Sequence, residues 1–231
     1  MDMKDNGWSF VLHAMQTLRL TLHSASGFAW LLKEDEYRPS LAEDERLDLL
    51  SRLEAEQWRM QRQVDTLVDT AHYSQLSRLE RHDKVLVNQL CLDLAEEQDV
   101  RVLYKSNIPD FFAITTNLEC LRKVLDILLR HAASRVIDRK RRVHGEPLVF
   151  LNVVEGVEKG KLVFSVTDTG DTASQADDIR AFDLPVGLAD RPFFDRLELH
   201  NSWLLVRLLG GFIHIDPKYR NGRRVIFSIA T

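Results

Sequence analysis

No stretch of this chain approaches the ~18 consecutive apolar residues that a membrane-crossing helix needs, so no segment of it reads as a transmembrane span. The opening residues, MDMKDNGWSF, lack the apolar core of a secretory signal. Cysteine is scarce. The two present, Cys91 and Cys120, sit in apolar periodic segments and read as buried reduced thiols rather than as a disulfide or a metal site. An excess of one charge is missing as well: 31 Lys and Arg face 35 Asp and Glu, a formal net charge of −4. A field of that size points neither to nucleic acid nor to insertion at a membrane. Repeats and low-complexity tracts are absent. Together these absences predict a cytoplasmic protein. Its 231 residues, 45% hydrophobic, suffice for one or two domains with real cores.

Two long helical patterns come first. Leu12, Met15, Leu18, Leu22, Ala25, Ala29 and Leu32 recur at three- and four-residue steps, the stripe of a helix with one buried face. The stripe ends in KEDEYRP. Ser40 and Glu43 then form a capping box, after which Leu49, Leu53, Met60, Val64, Leu67 and Ala71 repeat at helical spacing. Two antiparallel helices expose more apolar surface than they cover mutually, which predicts a homodimer closed as a four-helix bundle.

Beyond about residue 76 short elements alternate. Leu86–Glu97 reads as a helix, with strands over Val100–Lys105 and Phe112–Thr115. A capping box at Thr116 and Glu119 opens an apolar helix from Asn117 to about Val136. Leu148–Val154 and Lys161–Thr167 read as a hairpin turning at EGVEKG. A loose stretch over Gly170–Arg196 precedes a helix near Leu199–Leu209, stopped by Gly210-Gly211. Strands at Phe212–Asp216 and Val225–Ala230 close the chain around a turn at Lys218–Gly222. Helices segregated over one mostly antiparallel sheet make an α+β sandwich. The domains predicted are 1–76, the helical hairpin, and 77–231, the sandwich.

This succession resembles the dimerisation and ATP-binding core of bacterial sensor histidine kinases over nearly the whole chain. The family's first helix follows F-L-A-N-M-S-H-E-[LI]-R-T-P-L-N-A-I-x-G-F, and Phe10, Arg19, Leu22, Gly27 and Phe28 fall in register with it. The resemblance implies that the phosphoacceptor histidine stands at Gln16, its acidic neighbour at Thr17 and its proline at Thr21. A carboxamide cannot attack and hold a phosphoryl group as an imidazole does, and the acidic general base is gone too. His13 and His23 lie on the same helical face as Gln16 and are candidate displaced phosphoacceptors.

The family's metal-binding helix, N-L-L-x-N-A-x-K-[FH]-T, aligns without a gap on ILLRHAAS. Leu128, Leu129 and Ala132 keep the packing positions, while the two asparagines become Ile127 and His131 and the lysine becomes Ser134. Mg²⁺ wants hard oxygen ligands that isoleucine does not offer. The best-preserved motif is VTDTG, where the resemblance gives Asp168 the adenine amino group and Gly170 close passage of the backbone; a second glycine of that motif is Thr172. The phosphate-facing glycines of the last motif fall near Arg196 and Glu198. Glycine amides cradle phosphate, and a glutamate repels it. The lid between Gly170 and Arg196 keeps Phe182, Phe193 and Phe194 but no glycine-rich hinge.

The basic run Arg139–Arg142, with Arg135 before it, reads as a solvated helix end whose cations favour the C-terminal dipole. The resemblance thus implies a two-component signalling protein with a degenerate kinase core, in effect a pseudokinase. No cofactor is expected, and ATP with Mg is a residual possibility. Three activities compete. The first is a dimeric adaptor that binds a response regulator or a partner histidine kinase. The second is a phosphorelay protein using His13 or His23. The third is an unorthodox active kinase binding nucleotide through His131, Asp168 and Arg196. The pattern begins almost at the first helix, so a sensory part is expected to be missing or separate.

Overall fold

The computed structural model describes residues 3–37, 41–140, 148–158, 160–170, 181–183 and 193–231. The chain divides into two units, one of residues 1–71 with 184–197, the other of 72–183 with 198–231. The first unit is built on helices α1 (Met3–Tyr37) and α2 (Glu43–Gln75). Ala14 and Leu18 pack with Leu67, Thr21 meets Gln63, and Asp35 meets Arg46, so the partner number falls as the residue number rises. That is an antiparallel hairpin. Its turn is pinned by the buried Asp35 carboxylate, which accepts the Leu41 N–H at 2.8 Å and the Arg46 Nε–H at 3.0 Å. Phe193, Phe194 and Leu197 complete the same apolar cluster.

The predicted stripe is buried only in part within the hairpin: Leu18 and Leu67 pack in the seam. Met15 is 64% exposed and Leu22 53%, while Thr21, Gln63, Thr66 and Thr70 are buried. Threonine can be buried in a helix because its hydroxyl bonds its own preceding turn: Thr66 donates to the Arg62 carbonyl and Thr70 to the Thr66 carbonyl, both at 2.7 Å. Threonines and Gln63 therefore share the inner seam with Ala14, Leu18 and Leu67. Val11, Met15 and Leu22 of α1, with Leu50, Val64 and Val68 of α2, are exposed. The predicted capping box at Ser40 lies outside the described residues.

The second unit runs β1 (Asp83–Leu86), α3 (Val87–Glu96), β2 (Arg101–Ser106), β3 (Ala113–Thr116), α4 (Leu118–Lys140), β4 (Leu148–Glu155) and β5 (Lys161–Asp168). The last part of α5 (Phe193–Leu208), β6 (Phe212–Ile215) and β7 (Arg223–Ala230) complete it. One sheet has the order β2-β4-β5-β7-β6, with β2 and β4 parallel and the other pairs antiparallel. A small second sheet pairs β1 with β3; β1 carries too short a period-2 pattern to be read in sequence. Strand alternation decides the core. Val149, Leu151 and Val153, then Leu162, Phe164 and Val166, then Val225, Phe227 and Ile229 all point to one face. Phe164 and Phe227 stack there at 4.7 Å. Leu90 and Leu94 of α3, Leu121, Leu125 and Leu129 of α4, and Leu205 and Leu209 cover them.

Two of the boundaries that differ from expectation have a cause in the packing. The cap of α4 is Asn117, not Thr116: Asn117 Oδ1 accepts the Cys120 N–H at 2.9 Å, while Thr116 is buried in β3. Helix α5 starts at Phe193, six residues before the predicted Leu199, because Phe193, Phe194 and Leu197 bury an apolar face that sits inside a turn-rich stretch of sequence. Its end is as read. Gly210, at φ 76°, closes a reciprocal cap in which the Gly211 N–H reaches the Val206 carbonyl and the Gly210 N–H the Arg207 carbonyl.

Candidate functional site

Within the first unit, Gln16 and His23 are exposed on α1, seven residues apart and so on one side of the helix. His13 lies in the same helix, and its side chain is outside the described residues. Helix α1 continues unbroken through Thr21, the position at which the resemblance has a proline. Thr17 follows Gln16 where the resemblance has an acidic residue.

Within the second unit the sequence-predicted positions gather along α4, the end of β5 and the part of α5 that follows Leu197. Ile127 is 3% exposed, packed with the interior. Its side chain can bind no ion. One turn further, His131 Nε2 stands 3.5 Å from Glu198 Oε2. That is longer than a hydrogen bond, and Nε2 is buried with no hydrogen-bond partner among the described residues. The same Glu198 oxygen lies 3.4 Å from Arg130 Nη1, and Arg130 also bonds Asp126 at 3.0 Å through Nε. A buried carboxylate thus occupies the flank of α4, held between a cation and an imidazole.

Asp168 ends β5, buried by the turn that follows. Its Oδ1 accepts the Gly170 N–H at 2.8 Å and the Arg223 N–H at 3.3 Å. Its Oδ2 accepts the Arg135 Nε–H at 3.0 Å, with only 3% of the aspartate side chain and 19% of the arginine exposed. Glycine is required on both sides of this carboxylate. A Cβ on Gly170 would lie 2.8 Å from Asp168 Oδ1, and one on Gly222 would lie 2.0 Å from the Asp168 carbonyl oxygen. Gly222 also has φ 128°, in the region L residues avoid.

Arg135 is the residue that sequence reasoning misplaced. Grouped with Arg139–Arg142 it looked solvated, yet its guanidinium turns inward onto Asp168. The signal was available: it stands four residues after His131, on the same face of α4. Arg130, Gly222 and Arg223 were missed too, because each acts through a neighbour distant in sequence. The side chains of Arg139 and Lys140, and residues 141 and 142, lie outside the described residues. Thr172 does as well. Among the described residues, no group of three or more His, Cys, Asp or Glu is placed to hold a metal ion, and no helix is long and apolar enough to cross a membrane.

No protein-family model and no curated protein matches this chain. Solved structures do match, and all those described next are histidine kinases. Full-length ShkA in complex with AMPPNP aligns over 98% of this chain and 46% of its own at 18% identity, with a TM-score of 0.63. This chain therefore spans about half the length of that protein. The histidine kinase AdeS of Acinetobacter baumannii aligns over 93% of this chain and 96% of its own at 12% identity, with a TM-score of 0.64. The histidine kinase ThkA in complex with the response regulator protein TrrA aligns over 95% of this chain and 60% of its own at 16% identity, with a TM-score of 0.70. At these identities the likeness is one of fold: a helical hairpin followed by an ATPase-type α/β sandwich, as in histidine kinases.

Proposed function

We propose that this chain is a two-component signalling protein whose kinase core has lost its chemistry, a homodimeric pseudokinase that acts by binding a response regulator. The observation that carries the reading is the buried carboxylate of Glu198, packed against Arg130 and His131. Where the resemblance expects phosphate and Mg²⁺, the cation and the imidazole face a negative group of the chain itself. A triphosphate brought there meets repulsion in a low-dielectric setting. Ile127 offers no oxygen to a metal, and Gln16 no nitrogen to a phosphoryl group. ATP and Mg are therefore not cofactors in this reading.

The homodimer is supported by the outward apolar stripe of Val11, Met15 and Leu22 with Leu50, Val64 and Val68, which no described residue of this chain covers. A second copy in a four-helix bundle would cover it. The hairpin domain, 1–76, is then the dimerisation and regulator-binding part, and 77–231 an ATPase-like domain. A response regulator is the favoured partner because the fold is shared with ThkA, which binds one; a partner histidine kinase is the alternative. The protein is placed in the cytoplasm, where those partners act.

Calorimetric titration with a non-hydrolysable ATP analogue, with and without Mg²⁺, tests the reading. A micromolar site would report roughly 8 kcal/mol of binding free energy and a raised melting temperature. The expected result is no heat and no shift at millimolar nucleotide. Mg-dependent binding would overturn the reading and favour an active kinase using His131, Asp168 and Arg196. A second reading, phosphorelay, draws on the exposure of His23 on α1. Transfer of label from a phosphorylated regulator, abolished by His23→Ala or His13→Ala, would establish it.

A further inference from the structure

The two edges of the main sheet are finished differently. At one edge β2 carries two exposed cations, Arg101 and Lys105. Charges along an edge keep a foreign strand from adding to it. At the other edge β6 reads Phe212, Ile213, His214, Ile215, with no Lys, Arg, Asp, Glu or Pro and an unbroken register against β7. The ladder decides which of its backbone groups face outward. Asp216 N–H reaches the Arg224 carbonyl at 2.8 Å, so that pair exchanges hydrogen bonds. Antiparallel alternation then turns the N–H and C=O of Phe212 and His214 toward β7, and those of Ile213 and Ile215 away from it. The Gly211 N–H, next in the outward series, is taken up by the cap of α5. Among the described residues no strand pairs with this side of β6. The Ile213 and Ile215 side chains are buried in the core, so packing fixes the strand whose outer main chain is open.

On the sheet face away from the helices, Phe212 is 64% exposed and the His214 ring lies 5.5 Å from it. Cations stand before and after the strand: Arg207 is exposed in the last turn of α5, and Lys218 is exposed in the turn that follows β6. The carboxylate of Asp216 is already engaged, by Arg224 Nη1 at 3.4 Å and by the Lys218 N–H at 2.9 Å. We propose that β6 is a docking edge for an extended acidic peptide of a partner protein, which adds to the five-stranded sheet as a further strand. Its main chain pairs with Ile213 and Ile215, an apolar side chain covers Phe212, and its carboxylates meet Lys218 and Arg207. A second copy of this chain fits the edge less well. Antiparallel self-pairing about Ile213 and His214 brings the Lys218 end of each copy to the Arg207 end of the other, cation toward cation. The surface lies outside the helical hairpin and does not depend on the loss of nucleotide chemistry.

The test uses the full chain and a fluorescent peptide of sequence EVEVEVE, read by polarisation. The controls are KVKVKVK and an EVEVEVE methylated on its backbone nitrogens. The acidic peptide is expected to bind saturably and neither control to bind. Phe212→Glu, at an exposed position, should weaken binding by about tenfold or more, and Lys218→Glu by about threefold. In amide exchange followed by NMR, the peptide should slow Ile213 and Ile215 and leave His214, already bonded to β7, unchanged.

No polarisation change at millimolar EVEVEVE overturns the proposal. Equal binding of the methylated peptide overturns it as well, since strand addition needs those N–H groups. Equal binding of KVKVKVK removes the acidic character of the partner, and with it the proposal. Protection of Ile213 and Ile215 that rises with protein concentration in the absence of peptide, and is lost in Phe212→Glu, would give the edge to a second copy instead. Should Phe212→Glu not fold, His214→Glu, exposed on the same strand, carries the same expectation, and unchanged binding in it refutes the docking edge.

Discussion

The Thr21 hydroxyl lies 3.1 Å from Gln63 Oε1, a side-chain contact between two buried polar residues across the antiparallel seam of the helical hairpin. Thr21 also lies 3.2 Å from the Thr17 carbonyl of its own helix. A seam with polar residues at this level specifies which residues face each other. An apolar layer would tolerate a slip of register; a buried amide that needs its hydroxyl does not.

Thr21→Val keeps the shape and removes the hydroxyl, leaving Gln63 without that partner. The hairpin should lose about 1 kcal/mol, read by denaturant unfolding followed at α-helical wavelengths. The double variant Thr21→Val/Gln63→Leu should recover most of the loss, because neither side then carries the polar atom. Additive losses would show that the two side chains do not interact.

At Gly222 the expected cost is larger. A methyl group there would sit 2.0 Å from the Asp168 carbonyl oxygen, and the φ of 128° is strained for any L residue. Gly222→Ala should therefore destabilise the second unit by about 3 kcal/mol. The neighbouring exposed Asn221 offers the control, since Asn221→Ala should change stability by less than about 0.5 kcal/mol.

His200 makes stability depend on pH. Burial pushes its imidazole below the ordinary 6.5, against smaller upward contributions from the Phe182 carbonyl, 2.9 Å from Nδ1, and from Asp183. The folded form thus binds its proton less readily than the unfolded one. Stability from this group is intact above pH 6.5 and declines as the pH falls from there toward the depressed folded value. Melting temperature measured from pH 7.5 to 5 should fall less steeply in His200→Gln. An identical slope in both proteins would remove His200 from the account.

Cys91 should be inert until the protein unfolds. It is wholly buried, and burial raises its thiol from 9.0 to about 12, with a hydrogen bond from Tyr104 acting weakly the other way. That leaves roughly a thousandth of the usual thiolate at a given pH. Labelling by a thiol reagent at pH 8 is expected to track denaturant unfolding. Rapid stoichiometric labelling of Cys91 in the folded state would contradict the packing around α3.

Much of this architecture was legible in sequence, because period 3.6 and period 2 report burial directly. The strands from Leu148 and Lys161 and the helix stop at Gly210-Gly211 were readable, as was the apolar face of Leu125, Leu128, Leu129 and Ala132. The stripe Met15–Leu22 was legible as apolar, but the inner seam was legible only in part: beside Leu18 and Leu67 it holds Thr21, Gln63, Thr66 and Thr70, whose polarity reads as surface. Helix α5 began early for a similar reason. Phe193 and Phe194 carry no helical signal until the apolar cluster that receives them is known.

By itself the sequence determined the order and kind of every element but the short β1, and the fold they make, since each of these follows from the identity of a residue and the spacing of its neighbours. Tertiary structure decided which charges meet. Arg135 and Asp168 are 33 positions apart, and Arg130 and Glu198 are 68 apart. Pairs so remote leave no mark on local periodicity. They form because helix α4 lies along the sheet that ends in Asp168, and because a buried carboxylate is stable only where a donor from elsewhere in the fold arrives to face it.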